Sequence, residues 1–278
     1  MKNNKNLTDI FLETASNLKD ENNLVSIKNY NYNIKKTSFK TKDFNDINYV
    51  SLFDIKDLML FSDKIKSYLT TLLKNEIKKF IQLKNISIKN ILVVGFGNKN
   101  YMADCLGDKV VSRIFATREL VKRNILSSKK FNNVSAYSLS VLGQSGIESA
   151  DVVKKLCEIT KPDLVIAVDT FVSSKVFRLG KSLQISSKGF SPGAGVGNER
   201  KSIDKDNLNC PVFTIGVPLL ICANTIASKK RQKQLDDLVV MDKEIEKYIK
   251  FYSTIIANAI NTSVNKKVLL KEILQLMY

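Results

Sequence analysis

Two carboxylates could do chemistry, because the sequence places each at the end of a predicted strand. Asp104 follows the turn Gly95–Gly97 after a short apolar run, and Asp169 comes directly after the apolar run Leu164–Val168. Asp104 also precedes a predicted helix, where an aspartate is often only an N-cap. A carboxylate directly after a buried apolar run, as at Asp169, is costly unless it is paired or bound. Two carboxylates at one edge of a sheet can share a proton and activate water, or hold a metal ion through oxygen ligands.

The chain contains no histidine, and this absence removes whole classes of mechanism. Ser-His-Asp and Cys-His triads need an imidazole base, and histidine-ligated zinc sites need an imidazole ligand. The segment Gly143–Gly146 resembles a nucleophile elbow, but its glycine spacing is wrong and its serine has no histidine partner. The four cysteines form no C-x-x-C pair, which favours buried reduced thiols. Acid–base chemistry must therefore use carboxylates, Lys, Tyr, Cys or bound water.

Two glycine-containing segments resemble nucleotide-binding motifs, but each lacks a glycine that the motif requires. After Gly95–Gly97, a dinucleotide fingerprint needs a third glycine where Asn100 stands. A Walker A loop that starts at Gly193 needs a glycine where Asn198 stands. The segment Ser191–Lys201 is left with two interpretations, a flexible loop or a loop that contacts a substrate or binds an oxyanion.

The elements that must position these residues alternate between strands and helices after residue 90. The predicted strands are Ile91–Val94, Val134–Leu139, Leu164–Val168, Leu183–Ser186 and Pro211–Gly216. The predicted helices cover Ile55–Leu83, Leu106–Leu120 and Ile147–Ile159, with two more across Asp242–Met277. This alternation predicts an α/β fold of three layers, a mainly parallel sheet with helices on both faces.

Ligands gather at the carboxyl ends of parallel strands, so we expect Asp104 and Asp169 to meet at one edge of the sheet. Residues 1–50 are polar and rich in Asn and Lys, which predicts an irregular N-terminal arm with a short helix around Thr8–Leu18. Residues 51–278 are then a single α/β domain.

The net charge of +17, from 44 basic and 27 acidic residues, is spread along the chain. The densest basic run, Lys229–Lys233, is interpreted as a solvated loop, so we expect no nucleic-acid partner. No stretch approaches the roughly 20 apolar residues that span a bilayer, and the N-terminus lacks an apolar signal core. We therefore expect a soluble, intracellular protein without a membrane partner.

Several blocks, in order along the chain, resemble the germination (spore) protease family. The block Val93–Gly107 resembles the signature V-G-L-G-N-x-x-x-T-P-D-x-L-G-P, and Lys161–Asp169 resembles K-P-D-L-V-I-A-I-D. Further blocks that resemble the family are Gly143–Ser149, Leu183–Ser186, Pro192–Lys201 and Pro211–Pro218, with weaker matches at Thr8–Ala15 and Leu238–Ile245.

The resemblance implies a cytoplasmic endopeptidase of the spore interior that degrades small acid-soluble spore proteins during germination. The family is made as a zymogen, its proposed catalytic aspartates fall on Asp104 and Asp169, and its fold resembles that of the hydrogenase-maturation peptidases. The predicted substrate-binding residues are Gly97, Asn98, Gly193, Gly195 and Gly197. No cofactor is expected. The resemblance leaves open a divalent metal at the two aspartates and a homo-oligomer.

The chain also departs from the family pattern. Asp108 replaces a proline, Thr170 replaces an alanine, Met102 and Ala103 replace a Thr-Pro pair, and the segment between Ile226 and Leu238 is shorter. Few residues precede Thr8, so we expect little room for a propeptide. The alternative function is a catalytically inactive spore paralogue that binds a peptide or a nucleic acid. A hydrogenase-type maturation peptidase is a second enzymatic alternative, although it fits poorly outside the Gly95–Gly97 turn.

Overall fold

The structure is a computed structural model that describes residues 8–14, 23–43, 46–56, 61–196, 200–227, 235, 238–266 and 268–277. Its strands are β1 (Asn23–Tyr30), β2 (Ile34–Asp43), β3 (Asp46–Ile55), β4 (Asn90–Gly95), β5 (Asn133–Ser138), β6 (Leu164–Ser173), β7 (Ser182–Ser186), β8 (Val212–Cys222) and β9 (Val239–Met241). Its helices are α1 (Phe11–Thr14), α2 (Asp63–Leu83), α3 (Leu106–Val111), α4 (Arg118–Lys122), α5 (Leu142–Ser145), α6 (Ser149–Thr160), α7 (Lys205–Leu208), α8 (Ala223–Ile226), α9 (Ile245–Val264) and α10 (Leu270–Met277).

The strands form one sheet in the order β1-β2-β3-β7-β8-β6-β4-β5, with β9 beside β8. Neighbours among β8, β6, β4 and β5 run parallel, and all other pairs run antiparallel. The α/β class and the parallel centre are confirmed. The sheet as a whole is mixed rather than mainly parallel, because β1, β2, β3, β7 and β9 join it through antiparallel pairs.

Helices cover both faces of the parallel centre, so the three layers are confirmed. Ile91 and Val93 of β4 pack into a core with α2 and α9, whereas Leu92 and Val94 pack against α6 on the opposite face. Every residue of β6 and β8 is buried. A strand covered on both faces is apolar along most of its length, which is why these two strands could be recognised in the sequence.

The irregular arm predicted for residues 1–50 is wrong for the strands β1 and β2, and its predicted boundary falls inside β3. These strands are rich in Lys, Ser, Thr and Asn, and residues 25–29 of β1 are exposed, so no apolar alternation reveals them. They extend the sheet outward from β3, which pairs with the distant strand β7 from Val50 to Asp54. Helix α1 lies within the predicted helix at Thr8–Leu18, whose residues 15–18 are outside the described part.

Most other predicted elements are confirmed, with shifted boundaries. The helix predicted from Ile55 begins at Asp63, where Ser62 caps it, because Ile55 ends β3. The helix predicted over Leu106–Leu120 is two short helices, α3 and α4. Strands β6 and β8 continue past their predicted ends, so Asp169 lies within β6 rather than after it. No helix in the described residues is long and apolar enough to cross a membrane.

Candidate active site

The turn after β4 holds Asp104 beside the end of that strand. Gly97 adopts φ +121°, and a Cβ atom there would lie 1.9 Å from the backbone oxygen of Asp104. The backbone N–H of Asn98 donates to Asp104 Oδ2 at 2.8 Å, and Phe96 N–H donates to Val168 O at 2.8 Å. The turn is therefore tied both to β6 and to the Asp104 carboxyl group, and only glycine fits at position 97.

Asp169 reaches the same place from β6. Gly95, the last residue of β4, pairs with Val168, so Asp169 lies one residue beyond the end of β4. Its carboxylate accepts the N–H of Thr170 at 2.8 Å, and only 6% of the residue is exposed. The prediction that the two aspartates meet at one edge is confirmed, because both line a single pocket of about 230 Å³.

Burial raises the pKa of both carboxyl groups. The pKa of Asp104 rises to about 6, and the hydrogen bond from Asn98 opposes part of that increase. The pKa of Asp169 rises well above its ordinary value, first because of burial and then because of the negative charges of Asp104 and Asp9. Two carboxyl groups that repel in this way titrate as a pair and hold one proton between them over a range of pH.

Asp9 is a third carboxylate of the pocket, and sequence reasoning missed it. Its Oδ2 accepts the N–H of Val172 at 2.8 Å, its own N–H donates to Val172 O at 2.9 Å, and the backbone of Gly195 donates to its carboxylate. Burial raises its pKa to about 6 against those hydrogen bonds. The family-like block Thr8–Ala15 contained this residue, but nothing in the sequence connected it with β6.

The predicted substrate-binding residues do not all lie in one place. Gly97 and Gly193 line the pocket, together with Tyr101, Thr170, Pro192, Arg200, Leu220 and Val239. Asn98 contributes its N–H to Asp104, while its side chain accepts from Gln144 Nε2 at 2.8 Å. Gly195 is buried against Asp9, whose Oδ2 would lie 2.3 Å from a Cβ atom there. Gly197 is outside the described residues, so its role stays a prediction.

The model of the germination protease family matches residues 2–235. The chain belongs to the germination protease family. A germination protease of Caldanaerobacter subterraneus subsp. tengcongensis is 36% identical, over 74% of this chain and 75% of the relative. The germination protease of Clostridium perfringens strain SM101 is 33% identical, over 81% of this chain and 80% of the relative. The germination protease of Bacillus subtilis strain 168 is 42% identical, over 55% of this chain and 42% of the relative.

Among solved structures, a [NiFe] hydrogenase maturation protease, HycI, from Thermococcus kodakarensis KOD1 is 16% identical with a TM-score of 0.35. The match covers 65% of this chain and 98% of that one. The strand order and the helical layers on both faces of the sheet define the α/β fold of this germination protease family member.

Within the described part of this germination protease family member, no group of three or more Asp, Glu or Cys side chains has a spacing suited to a metal ion. Asp108, the acidic residue that replaces a proline of the family pattern, accepts from Ser138 Oγ at 2.9 Å. It does not line the pocket. The acidic residues that line the pocket are Asp9, Asp104 and Asp169, and the basic residue Arg200 lines it as well.

Proposed function

We propose that this protein is an endopeptidase of the spore interior that degrades small acid-soluble spore proteins during germination, with Asp104 and Asp169 activating water. The observation that carries the proposal is that two carboxyl groups, one from the turn after β4 and one from β6, line one pocket, where burial raises the pKa of both and the charge of Asp104 further raises that of Asp169. Membership of the germination protease family supports a peptidase in general, and the pocket supports this particular pair.

In the proposed mechanism, the pair starts with one shared proton. Asp169 is the more deeply buried member, so the proton resides mainly on Asp169 and Asp104 is ionised. Asp104 takes a proton from water as the water oxygen attacks the peptide carbonyl carbon. Asp169 gives its proton to the carbonyl oxygen. As the C–N bond breaks, one hydroxyl of the intermediate returns its proton to Asp169 and re-forms the carbonyl, and the amine leaves with the proton from Asp104. The pair is then back in its starting state, with one proton on Asp169.

Asp9 acts as a positioning residue in this proposal. Its carboxylate joins the backbone of Val172 on β6 to that of Gly195 in the glycine-rich loop. This bridge sets the distance between the loop residue Gly193 and Asp169, both of which line the pocket. The loop backbone would then lie beside the substrate backbone.

The test is incubation of the purified protein with a small acid-soluble spore protein, followed by mass spectrometry of the products. We expect discrete internal cleavages, and we expect Asp104→Asn and Asp169→Asn each to lower the rate at least about 100-fold. Asp108→Asn is the matched control, because Asp108 is a carboxylate of the same region that hydrogen-bonds Ser138 outside the pocket. Undiminished cleavage by either of the first two variants would overturn the assigned pair.

We further propose that the reaction needs no cofactor, so a chelator should leave the rate unchanged. A rate lost to the chelator and restored by Mg²⁺ or Mn²⁺ would instead favour a metal ion held by Asp104 and Asp169. Salt-sensitive DNA binding without any proteolysis would favour the alternative of an inactive paralogue with a binding role.

A further inference from the structure

Strand β9 has an outer edge that no described residue occupies. Its three residues pair antiparallel with Leu220–Cys222 of β8, and no other described segment forms a backbone hydrogen bond with them. An open strand edge presents N–H and C=O groups that can pair with another chain.

The hydrogen-bond pattern shows which groups of β9 face outward. Just before β9, the carbonyl of Leu238 accepts from Ala223 N–H at 2.9 Å, so Leu238 presents its backbone to the β8 side. Alternate residues of an antiparallel strand present their backbone groups to opposite sides. Val240 therefore also faces β8, and Val239 and Met241 direct their N–H and C=O groups toward the open edge.

This edge opens beside the carboxylate pair. Val239 and Leu220 both line the pocket that contains Asp104 and Asp169. The residues of β9 are partly solvent-exposed, from 37% for Val240 to 44% for Met241. The strand is thus partly exposed and contributes Val239 to the wall of the site, where a polypeptide would have to pass.

We propose that an extended segment of the substrate protein pairs with the outer edge of β9 as an additional strand. The inference rests on the proposed peptidase function, which requires a polypeptide in this pocket. Strand addition binds through the main chain and orients an extended backbone, while alternate side chains enter pockets. The occupant is therefore a stretch of substrate next to the cleaved bond, recognised by its backbone before its side chains.

A scan of backbone-methylated substrates tests this mode of binding. Peptides that span a cleaved bond are made with a single N-methyl group at successive positions, and KM is measured with the wild-type protein. We expect KM to rise about 10-fold at every second residue on one side of the bond, because each methyl group there removes one hydrogen bond to β9. The residues between them should tolerate methylation.

Variants of β9 give the complementary test. Val239→Pro removes the outward N–H, and proline is tolerated at a strand edge because no ladder hydrogen bond is lost there. Val239→Ala is the matched control, since it shortens the side chain and keeps the N–H. We expect KM for Val239→Pro to be about 10-fold higher than for Val239→Ala, with similar kcat and similar melting temperatures.

Equal KM values for the two variants together with a flat methylation scan would overturn the inference. So would a wild-type dimer that Val239→Pro dissociates without any methylation pattern, because a second copy would then occupy the edge. A flat scan with loss of cleavage in Asp104→Asn would overturn β9 docking and leave the proposed function standing. An alternating scan with undiminished cleavage in Asp104→Asn would overturn the proposed aspartate pair and leave β9 docking standing.

Discussion

Replacing Gly97 by alanine tests whether the turn after β4 sets the position of Asp104. A Cβ atom at position 97 would lie 1.9 Å from the backbone oxygen of Asp104 and 3.1 Å from its Oδ1 atom. Real Cβ atoms essentially never approach such an atom closer than 3.0 Å. The backbone of Asp104 must therefore move by about 1 Å, or the turn must open by the same amount.

The expected loss of catalytic rate follows from that displacement of Asp104. Moving a reacting group by about 1 Å costs about 100-fold in rate, which is roughly 2.7 kcal/mol of transition-state stabilisation. The φ of +121° adds about 1–3 kcal/mol of backbone strain to the folded state for any residue other than glycine. We expect Gly97→Ala to lower kcat about 100-fold, to change KM little, and to lower the melting temperature.

Alanine variants at two other glycines separate the effect of backbone strain from the effect of displacing Asp104. Gly146 has φ +69° but nothing within 4 Å of its would-be Cβ, and Gly143 has open space without a positive φ. Gly146→Ala should therefore lose about 1 kcal/mol of stability at nearly wild-type kcat. Gly143→Ala, within helix α5, should keep the wild-type kcat and gain up to about 1 kcal/mol of stability. The assay is steady-state cleavage of a spore-protein substrate, with thermal unfolding in parallel. A folded Gly97→Ala protein with kcat within a few-fold of wild type would refute the reasoning.

Two further predictions concern charge in the pocket. Asp9→Asn removes a negative charge that raises the pKa of Asp169, so the alkaline limb of the pH–rate profile should move to lower pH. An alkaline limb that stays in place would contradict this coupling. Asp104→Asn should raise the melting temperature at about pH 8, because keeping a carboxylate with a pKa of about 6 ionised costs on the order of 3 kcal/mol. The folded state holds this proton more tightly than the unfolded state, so wild-type stability falls as pH rises from about 4 to about 6. The advantage of the variant should therefore disappear near pH 4, and an advantage independent of pH would contradict the assignment.

The sequence predicts those parts of the fold that local patterns determine. Strand β6 begins with the continuous apolar run Leu164–Val168, and that run was enough to predict where the carboxylate of Asp169 would lie. The hairpin of β1 and β2 escaped prediction because it depends on β3 pairing with β7, far along the chain, and its own residues are polar. Local polarity carries no information about a pairing that forms only in the folded chain.

Asp9 was missed for the same physical reason. Its place in the site depends on hydrogen bonds to Val172 and Gly195, which lie far from it in sequence. A short polar stretch near the N-terminus looks like any loop until β6 supplies its partners. Gly195 was predicted to bind substrate as part of the glycine-rich loop, but it packs against the Asp9 carboxylate.

The positions at which this chain departs from the family pattern leave both aspartates of the pair in place. Asp108 accepts from Ser138 outside the pocket, Ala103 is fully buried, and Met102 is 43% exposed beside Tyr101. Only Thr170 lies on the pocket wall itself. Met102 and Ala103 belong to the short turn that ends at Asp104, but Gly97, the Asn98 N–H and both aspartates are retained. If the proposed mechanism is correct, substrate range should therefore differ from that of the relatives before the dependence on the two aspartates does.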